Sequence, residues 1–259
     1  MERVYIGIDI GSTCAKTVVL DGERNILLRL LQPTGWSSVD TAEDIRARLA
    51  GEGFPVEEAA VVATGYGRVS VPYADRCVTE ITCHGRGACR IYGTPDLTVI
   101  DIGGQDTKII RIQDGAVSDF LMNDKCSAGT GRFLEIMANT LAVRPEELCG
   151  MAAHGGGTSI SSMCTVFAES EVISLIGRGE KRENIAFAVV DSIVKKVASQ
   201  AGRMSADQET VCLTGGLCEY PYLRQSLSAA LGRPVRTEAD GRYAGAVGAA
   251  LCAFSIRKE

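Results

Sequence analysis

The 259-residue sequence has no excess of basic residues and no long apolar segment. Its net charge is -5, which argues against broad contact with nucleic acid, since such contact requires a basic surface. The longest run of small apolar residues, GAVGAALCAF, is about half as long as a helix that spans a bilayer. The start, MERVYIGIDIG, lacks the apolar segment and cleavage site of a signal peptide. We therefore expect a soluble cytoplasmic protein that contacts neither nucleic acid nor membrane.

Two common nucleotide-binding motifs are also absent from the sequence. It contains neither a Walker A loop nor a strand that leads through Gly-x-Gly-x-x-Gly into a helix, so P-loop and Rossmann folds are unsupported. Histidine is scarce as well, with two residues in the chain. A catalytic pair of cysteine and histidine therefore has little support.

The sequence does contain a large apolar fraction and ten cysteines. With 46% hydrophobic residues, it predicts a packed core that needs no disulfide framework. Most of the cysteines are expected to be small buried residues in a reducing compartment. This group includes Cys149, Cys212, Cys218 and Cys252. Cys77, Cys83 and Cys89 fall in a predicted helix over 74–92 and would face different directions, so a shared metal is not expected.

Two segments of the chain resemble each other. YIGIDIGSTCAKTVVLDG begins at Tyr5, and LTVIDIGGQDTKIIRIQDG begins at Leu97. Each is an apolar strand that ends in Asp-Ile-Gly, followed by a polar turn, a lysine at the same spacing and a second β-branched strand. This internal duplication predicts two related lobes. We place the first lobe at 1–96 plus 243–259 and the second at 97–242.

The remaining pattern predicts strands that alternate with helices. A meander of three strands over 3–32 precedes a helix over 40–51, a strand near 58–65 and the helix over 74–92. Further strands are predicted at 97–102, 107–113 and 116–121, with helices at 130–142, 165–177 and 182–203. The buried strand TVCLTGG, a helix over 221–231, a short strand GRPVRTE and a closing helix complete the chain. Such alternation is typical of an α/β architecture in two lobes.

The turns of the two hairpins have the composition of phosphate-binding loops. In DIGSTCAK, Gly11 is flexible while Ser12 and Thr13 supply hydroxyls, so backbone N–H groups can approach phosphate oxygens closely. Asp9 ends the strand, and a carboxylate there suits Mg²⁺, which keeps several waters and bridges carboxylates to phosphates. Lys16 completes this candidate nucleotide-binding set.

The second turn, DIGGQDTK, repeats this logic. Asp101 ends its strand, and Gly103 and Gly104 form the flexible turn. Gln105 and Asp106 are the candidates for orienting an attacking water. For one such turn an ordinary tight hairpin would be the simpler interpretation. Two copies with matching aspartate and lysine spacing favour the phosphate site.

A third element, CLTGGLCEY, places Gly215 and Gly216 after a buried strand. Such a pair lets the backbone lie against a flat or phosphorylated ligand, although Gly-Gly alone often only ends a strand. In this order the three motifs resemble the phosphate 1, phosphate 2 and adenosine motifs of the actin, heat-shock chaperone and sugar-kinase superfamily. The resemblance implies a two-lobed actin-like ATPase with ribonuclease H-like duplicated domains.

Two cysteines precede predicted helices, Cys126 in NDKCSAGTGRFLEIMA and Cys164 in SSMCTVFAESEVISLI. A helix N-terminus, with its unpaired N–H groups, favours the thiolate that metals require. A [4Fe–4S] cluster takes four cysteines, so a two-fold dimer would supply two from each chain and point four helix ends at the cluster. Taken singly, each cysteine could equally be a cluster ligand or one of two simpler things, a small buried residue or a catalytic nucleophile; His154 is the histidine nearest to them in sequence.

These cysteine segments and DIGGQDTK resemble the activators of 2-hydroxyacyl-CoA dehydratases, in the family that includes the ATPase subunits of benzoyl-CoA reductase. The resemblance covers essentially the whole chain. It implies a homodimeric ATPase with one [4Fe–4S] cluster held by Cys126 and Cys164 of both chains. ATP binding and hydrolysis would change the angle between the cluster-bearing helices and drive a low-potential electron into a partner dehydratase.

The resemblance also implies cofactors and partners. The cofactors are ATP or ADP, Mg²⁺ and the cluster, the electron donor is ferredoxin or flavodoxin, and the setting is anaerobic metabolism. Gly129, Thr130 and Gly131 would connect the nucleotide state to the helix that follows Cys126.

Three alternatives stay open at this point. A small-metabolite kinase would share the nucleotide motifs but has no use for paired thiols at helix starts. A nucleotide-gated scaffold of the actin type would use ATP for assembly. Within the family, the chain would serve as the ATPase component of an aryl-CoA reductase of the benzoyl-CoA type, or as the activator of another reductase.

Overall fold

The structure, a computed structural model, describes residues 3–161, 164–204 and 210–256. Its strands in chain order are β1 (Tyr5–Ile10), β2 (Cys14–Leu20), β3 (Ile26–Pro33), β4 (Ala60–Thr64), β5 (Arg76–Cys77), β6 (Leu97–Ile102), β7 (Thr107–Gln113), β8 (Ala116–Asn123), β9 (Val211–Gly215) and β10 (Val235–Arg236). Its helices are α1 (Ser38–Gly51), α2 (Glu80–Tyr92), α3 (Gly131–Thr140), α4 (Pro145–Ala152), α5 (Thr165–Gly177), α6 (Arg182–Ala201), α7 (Pro221–Leu231) and α8 (Ala244–Ala253).

The chain divides into two compact units. Unit 1 consists of Met1–Asp96, Arg111–Asp119 and Asp240–Glu259, and unit 2 of Leu97–Ile110 and Phe120–Ala239. The two units are defined by which residues pack together. The lobes, predicted at 1–96 plus 243–259 and at 97–242, are defined by the duplication in the sequence and stay a prediction. In the described part of the chain, no helix is both long and apolar enough to cross a membrane.

The first sheet has the strand order β3-β2-β1-β4-β5. Along β1, side chains alternate between the two faces of the sheet, as in any strand. Ile6, Ile8 and Ile10 belong to the core that includes residues of α1, whereas α8 packs on the other face, where Asp9 also projects. The carboxylate of Asp9 is therefore placed at the end of a central strand, inside the unit.

The second sheet has the order β10-β9-β6-β7-β8. Strands β6 and β9 are parallel and every residue of both is buried, as expected for central strands covered on both faces. Asp101 pairs with Thr214 in this register, and Ile102 pairs with Gly215. The segments that resemble the phosphate 2 and adenosine motifs therefore begin at neighbouring positions on the same edge of the sheet.

Two parts of the predicted secondary structure are wrong. The helix predicted over 74–92 begins only at Glu80, where Thr79 is the N-cap and accepts a hydrogen bond from the N–H of Thr82. Before it, Arg76–Cys77 forms the edge strand β5, so Cys77 does not share a helix with Cys83 and Cys89. Helix α4 was not predicted at all.

The four cysteines predicted to lie in the core are all buried. Burial raises the pKa of Cys149 to about 12, which makes this thiol unreactive at neutral pH. The surroundings of Cys252 are less apolar than its sequence suggests. A hydrogen bond from the thiol of Cys83, together with the guanidinium of Arg86, lowers the pKa of Cys252 below that of a free thiol.

Replacing Gly248 by alanine should destabilise unit 1, because α2 and α8 meet backbone to backbone at this residue. A Cβ on Gly248 would lie 1.7 Å from the carbonyl oxygen of Cys83, so the helices would have to move apart. Overpacking of this kind costs about 1–3 kcal/mol, which should lower the midpoint of urea unfolding. Gly150→Ala in α4 is the matched control, since its Cβ would meet nothing within 4 Å. Equal midpoints for the two variants would contradict this packing.

Candidate functional site

The first hairpin turn presents one buried carboxylate and a set of backbone groups. Asp9 is 3% exposed, and Lys16 stands opposite it on β2, with Nζ 3.9 Å from Oδ2. The N–H of Gly11 donates to the carbonyl oxygen of Cys14 at 3.1 Å, which closes the turn. The hydroxyl of Thr34 in turn donates to the carbonyl oxygen of Gly11 at 2.7 Å. Thr34, which lies outside the turn, thus holds its backbone in place.

Two hydroxyl residues form the tip of this turn. Ser12 is half-buried and Thr13 is exposed. The carbonyl oxygen of Thr13 accepts from the N–H of Thr34 at 2.9 Å, so the backbone at the tip is held while both side chains stay at the surface of the turn. Such a turn can present hydroxyls and N–H groups to phosphate oxygens.

The second turn contains a buried lysine between two carboxylates. Lys108 is 1% exposed, and its Nζ lies 3.3 Å from Oδ2 of Asp101 and 2.7 Å from Oδ2 of Asp106. The hydroxyl of Thr214 donates to the other oxygen of Asp101 at 2.9 Å. Asp101 is therefore held rigidly at the end of β6. Gln105, by contrast, is exposed at the tip of the turn.

The sequence reasoning missed two members of this second turn. Lys108 was noted only as the repeat of Lys16, although its position in the duplicated pattern was a readable signal. Thr214 had no signal in the sequence, because its contact with Asp101 depends on the register between β6 and β9.

The adenosine motif continues directly from β9. Gly215 has φ 81° and a Cβ there would lie 2.3 Å from the carbonyl oxygen of Ile102, so only glycine fits. A Cβ on Gly216 would meet nothing within 4 Å, which leaves its backbone open to a ligand. A cavity of about 770 Å³ follows, lined by Cys218, Glu219, Pro221, Arg224 and residues 234–239. Its volume suits a small-molecule ligand.

The start of α3 is joined to the second turn by backbone hydrogen bonds. The N–H of Gly131 donates to the carbonyl oxygen of Gly103 at 2.9 Å, and the N–H of Arg132 donates to that of Gly104 at 2.8 Å. The hydroxyl of Thr107 donates to the carbonyl oxygen of Gly129 at 2.8 Å. If this turn moved, the hydrogen bonds would pass the displacement directly to the start of α3.

This geometry corrects one expectation about the cysteines. Cys164 is the N-cap of α5, as predicted. Cys126, however, precedes α3, whose N-cap is Thr130 and whose first N–H groups are occupied by the second turn. One helix N-terminus in each chain therefore carries a cysteine of the candidate cluster site, and the expectation of two is wrong.

The two cysteine segments nevertheless meet. The residues that follow the cysteines are hydrogen-bonded to each other, with Ser127 Oγ 2.6 Å from Thr165 Oγ1. Cys126 is half-buried and Cys164 is exposed. The amide of Asn123 donates to the carbonyl oxygen of Cys126 at 2.8 Å and so holds that loop. Both thiols thus belong to one surface region of unit 2.

The predicted site residues fall into both units. Asp9, Gly11, Ser12, Thr13 and Lys16 belong to unit 1. Unit 2 contains the second turn, the Gly129–Gly131 segment, both cysteines and the Gly215–Gly216 pair. Within unit 2, hydrogen bonds join the second turn to the adenosine motif and to the start of α3.

Comparison with known proteins identifies relatives over the full length of the chain. The BadF/BadG/BcrA/BcrD ATPase family matches residues 6–253. The (R)-2-hydroxyglutaryl-CoA dehydratase activating ATPase of Acidaminococcus fermentans is 40% identical over 258 residues, which cover 98% of both chains. A subunit of the benzoyl-CoA reductase of Thauera aromatica is 29% identical, and the match covers 96% of this chain and 92% of that one. The resemblance seen in the motifs is confirmed.

Solved structures give the same result for the fold. The activator of the 2-hydroxyisocaproyl-CoA dehydratase from Clostridium difficile, with bound ADPNP, has a TM-score of 0.90 and 36% identity, covering 97% of this chain and 94% of that one. A ROK family glucokinase from Streptomyces griseus has a TM-score of 0.64 at 16% identity, covering 98% of this chain and all of that one, and shows the fold alone. The predicted α/β fold of the actin-like and sugar-kinase type is confirmed.

Proposed function

Because the chain belongs to the BadF/BadG/BcrA/BcrD ATPase family, we propose that it is an ATP-hydrolysing iron–sulfur activator of a 2-hydroxyacyl-CoA dehydratase. It would pass a low-potential electron to that partner. The observation that carries the proposal is the hydrogen bond between Ser127 and Thr165, since it brings the segments of Cys126 and Cys164 together. The relative with bound ADPNP supports ATP as the nucleotide.

The nucleotide would bind through the residues of the two turns and the adenosine motif. Asp9 and Asp101 would supply carboxylates for hydrated Mg²⁺, a hard cation that prefers oxygen ligands. Phosphates would be held by the turn residues Gly11, Ser12, Thr13, Lys16, Gly103 and Gly104. Gly215 and Gly216 would flank the adenosine. When bound, Mg²⁺ would offset the charge on the phosphates.

Of the two candidates for orienting the attacking water, the geometry favours Gln105. Asp106 is engaged by the buried ammonium of Lys108 at 2.7 Å, whereas the side chain of Gln105 is exposed at the tip of the turn. The side-chain amide of glutamine can accept a hydrogen bond from water through its oxygen and donate one to phosphate through its NH2 group. Asp106 would then position Lys108 and keep the turn in shape.

Cys126 and Cys164 would hold one [4Fe–4S] cluster together with the same residues of a second copy. Two thiols at one surface region fit half of the four ligands that such a cluster takes. The exposed apolar side chains of α5 support a second copy, since Val166, Phe167 and Ile173 are 68%, 65% and 56% exposed. Large apolar side chains grouped at a surface mark interfaces. The cluster would supply the electron.

ATP would act on the cluster through the start of α3. The second turn, which would hold phosphate, accepts the first N–H groups of α3 and is tied to Gly129. Thr130 then donates its hydroxyl to the carbonyl oxygen of Ser127, next to Cys126, at 2.6 Å. A change of nucleotide can drive this path only if ATP and ADP favour different arrangements of the turn. The Gly129–Gly131 segment would transmit that difference.

The electron donor and acceptor follow from the same proposal. Ferredoxin or flavodoxin would reduce the cluster in the cytoplasm of an organism with anaerobic metabolism. The acceptor would be a 2-hydroxyacyl-CoA dehydratase. The match to the benzoyl-CoA reductase of Thauera aromatica favours a second candidate, the ATPase component of an aryl-CoA reductase. Electron-transfer assays with each acceptor separate the two candidates.

Anaerobic iron and sulfide analysis, combined with a measured dimer mass, tests the proposal. About four irons and four sulfides per two chains are expected, with a brown colour and ATP hydrolysis by the same preparation. A colourless protein that hydrolyses ATP in the presence of a sugar would instead indicate a kinase. Filaments that form on adding ATP, without iron, would indicate a scaffold. Either of these results would overturn the activator assignment.

A further inference from the structure

Two cysteines of unit 1, neither of them assigned to nucleotide or cluster, lie where α2 and α8 meet backbone to backbone. A Cβ on Gly87 would lie 1.9 Å from the carbonyl oxygen of Ala244. One on Gly248 would lie 1.7 Å from that of Cys83, so the two helices run antiparallel. Cys252 follows Gly248 by one turn of α8. Helical side chains lean towards the N-terminus of their helix, so in this antiparallel pair Cys83 and Cys252 lean towards each other.

The two thiols share one apolar environment. Cys83 is 0% exposed and Cys252 is 4% exposed, and both belong to a core cluster with Ala249 and Ala253. The hydrogen bond between them raises the pKa of Cys83 and lowers that of Cys252. Cys252 is therefore the thiol that ionises first, and Cys83 is its neutral neighbour.

A cation stands beside Cys252, on the side that faces solvent. Nη1 of Arg86 lies 3.3 Å from Sγ of Cys252, and Arg86 is exposed. Cys252 is also the next to last residue of α8, and helix ends fray. A small neutral oxidant can therefore reach the sulfur at the point where a thiolate is stabilised. A metal ion would be repelled by the guanidinium, so the pair suits oxidation rather than metal binding.

We propose that Cys83 and Cys252 form a redox-active thiol pair, which a peroxide converts into a disulfide that joins α2 to α8. The thiolate of Cys252 attacks one oxygen of hydrogen peroxide, the O–O bond breaks, and a sulfenic acid and hydroxide result. The sulfur of Cys83 then attacks the sulfur of the sulfenic acid, and its proton leaves with the sulfenic hydroxyl as water. In total, two electrons pass from the two sulfurs to the peroxide.

The disulfide would fasten a helix that packs against a candidate magnesium ligand. A Cβ on Gly245 of α8 would lie 2.5 Å from Oδ2 of Asp9, so α8 lies directly against this carboxylate. Once α2 is joined to α8, the two helices can no longer shift past each other beside Asp9. The inference goes beyond the proposed function, since formation of the disulfide is measured without ATP hydrolysis or electron transfer.

Peptide mapping by mass spectrometry under non-reducing conditions tests the inference. The full-length protein is purified anaerobically and then exposed to hydrogen peroxide. We expect the peptide of Cys83 to be joined to that of Cys252 with the loss of two hydrogen atoms, and dithiothreitol to reverse the link. Burial raises the pKa of Cys149, which should stay reduced as the internal control. If Cys83 and Cys252 stay reduced while Cys126 and Cys164 are oxidised, the proposal is overturned.

Variants test the order of the two steps and the part played by the cation. In Cys83→Ser, Cys252 should gain an oxygen atom instead of forming the link, because its sulfenic acid meets no thiol. Arg86→Met should slow formation of the link about tenfold, since the thiolate loses its cation. Arg90→Met removes another exposed cation one turn further along α2 and is the matched control, which should react like the wild type.

Both arginines are exposed, so their variants remain informative even if the buried substitution fails to fold. Equal rates of link formation in Arg86→Met and Arg90→Met, or an unmodified Cys252 in folded Cys83→Ser, would contradict the proposed chemistry.

Discussion

Replacing Cys126 or Cys164 by serine is expected to give a colourless protein that binds almost no iron and passes no electron to a dehydratase. Serine keeps the approximate size of the side chain but lacks the thiolate that iron requires. Each chain of the proposed dimer supplies two of four ligands, so one substitution removes half of the ligand set. Iron should fall from about four per two chains to near zero, measured by anaerobic iron and sulfide analysis with visible absorbance.

Cys77→Ser provides the matched control for this experiment. Cys77 is also exposed but lies on β5 of unit 1, far along the chain from the cysteine segments, so its replacement should leave iron and colour unchanged. ADP binding by each variant shows whether the nucleotide site is still folded. A serine variant at position 126 or 164 that keeps full iron and electron transfer would remove that residue from the ligand set.

The second large effect is expected at the buried lysine of the second turn. Lys108→Met leaves the carboxylates of Asp101 and Asp106 without the ammonium group that lies 3.3 and 2.7 Å from them. Removal of one partner from a buried ion pair typically costs about 3–5 kcal/mol, because the remaining charge is uncompensated. Urea unfolding of the variant should show a loss of this size. ATP hydrolysis should be lost with it, since Asp101 would be held by the hydroxyl of Thr214 alone.

The internal duplication provides the matched control. Lys16→Met makes the same change in the first turn, where Nζ is 3.9 Å from Asp9 and the side chain is 16% exposed. The longer distance and the access of water should keep its cost on the order of 1 kcal/mol. If the free energy of unfolding falls by the same amount in both variants, the ion pairs of Lys108 do not stabilise the protein more than that of Lys16, and this prediction is wrong.

Most of the secondary structure could be predicted from sequence because its causes are local. The apolar alternation of β1 and β6, the polar turns behind them and the duplicated spacing all lie within short segments. The start of α2 was mispredicted because β5 exists only through pairing of Arg76 and Cys77 with β4. Such pairing leaves no periodic signal. The omission of α4 is different, since Pro145 at its first turn and Glu147 three residues after the N-cap were readable signals.

For the candidate site, the sequence indicated individual residues but not the contacts between them. Aspartates, glycines and cysteines were visible as motifs, because each has a chemical reason to stand where it does. The contact of Ser127 with Thr165 was not visible, since it joins a loop to the first residue of α5, and α3 and α4 lie between them in the chain. The contact of Lys108 with Asp106, on which the proposed choice of Gln105 over Asp106 rests, was equally hidden, because it depends on where the lysine side chain ends.

The hydrogen bonds that occupy the first N–H groups of α3 bear on the electron affinity of the proposed cluster. A helix end whose first two N–H groups already donate to carbonyl oxygens of the second turn offers less positive potential to a reduced iron centre. In a dimer only the two copies of α5 would then attract the added charge. Weak attraction means that the reduced cluster gives its electron away readily. The hydrogen bonds that join α3 to the second turn would thereby also make the proposed cluster a stronger reductant.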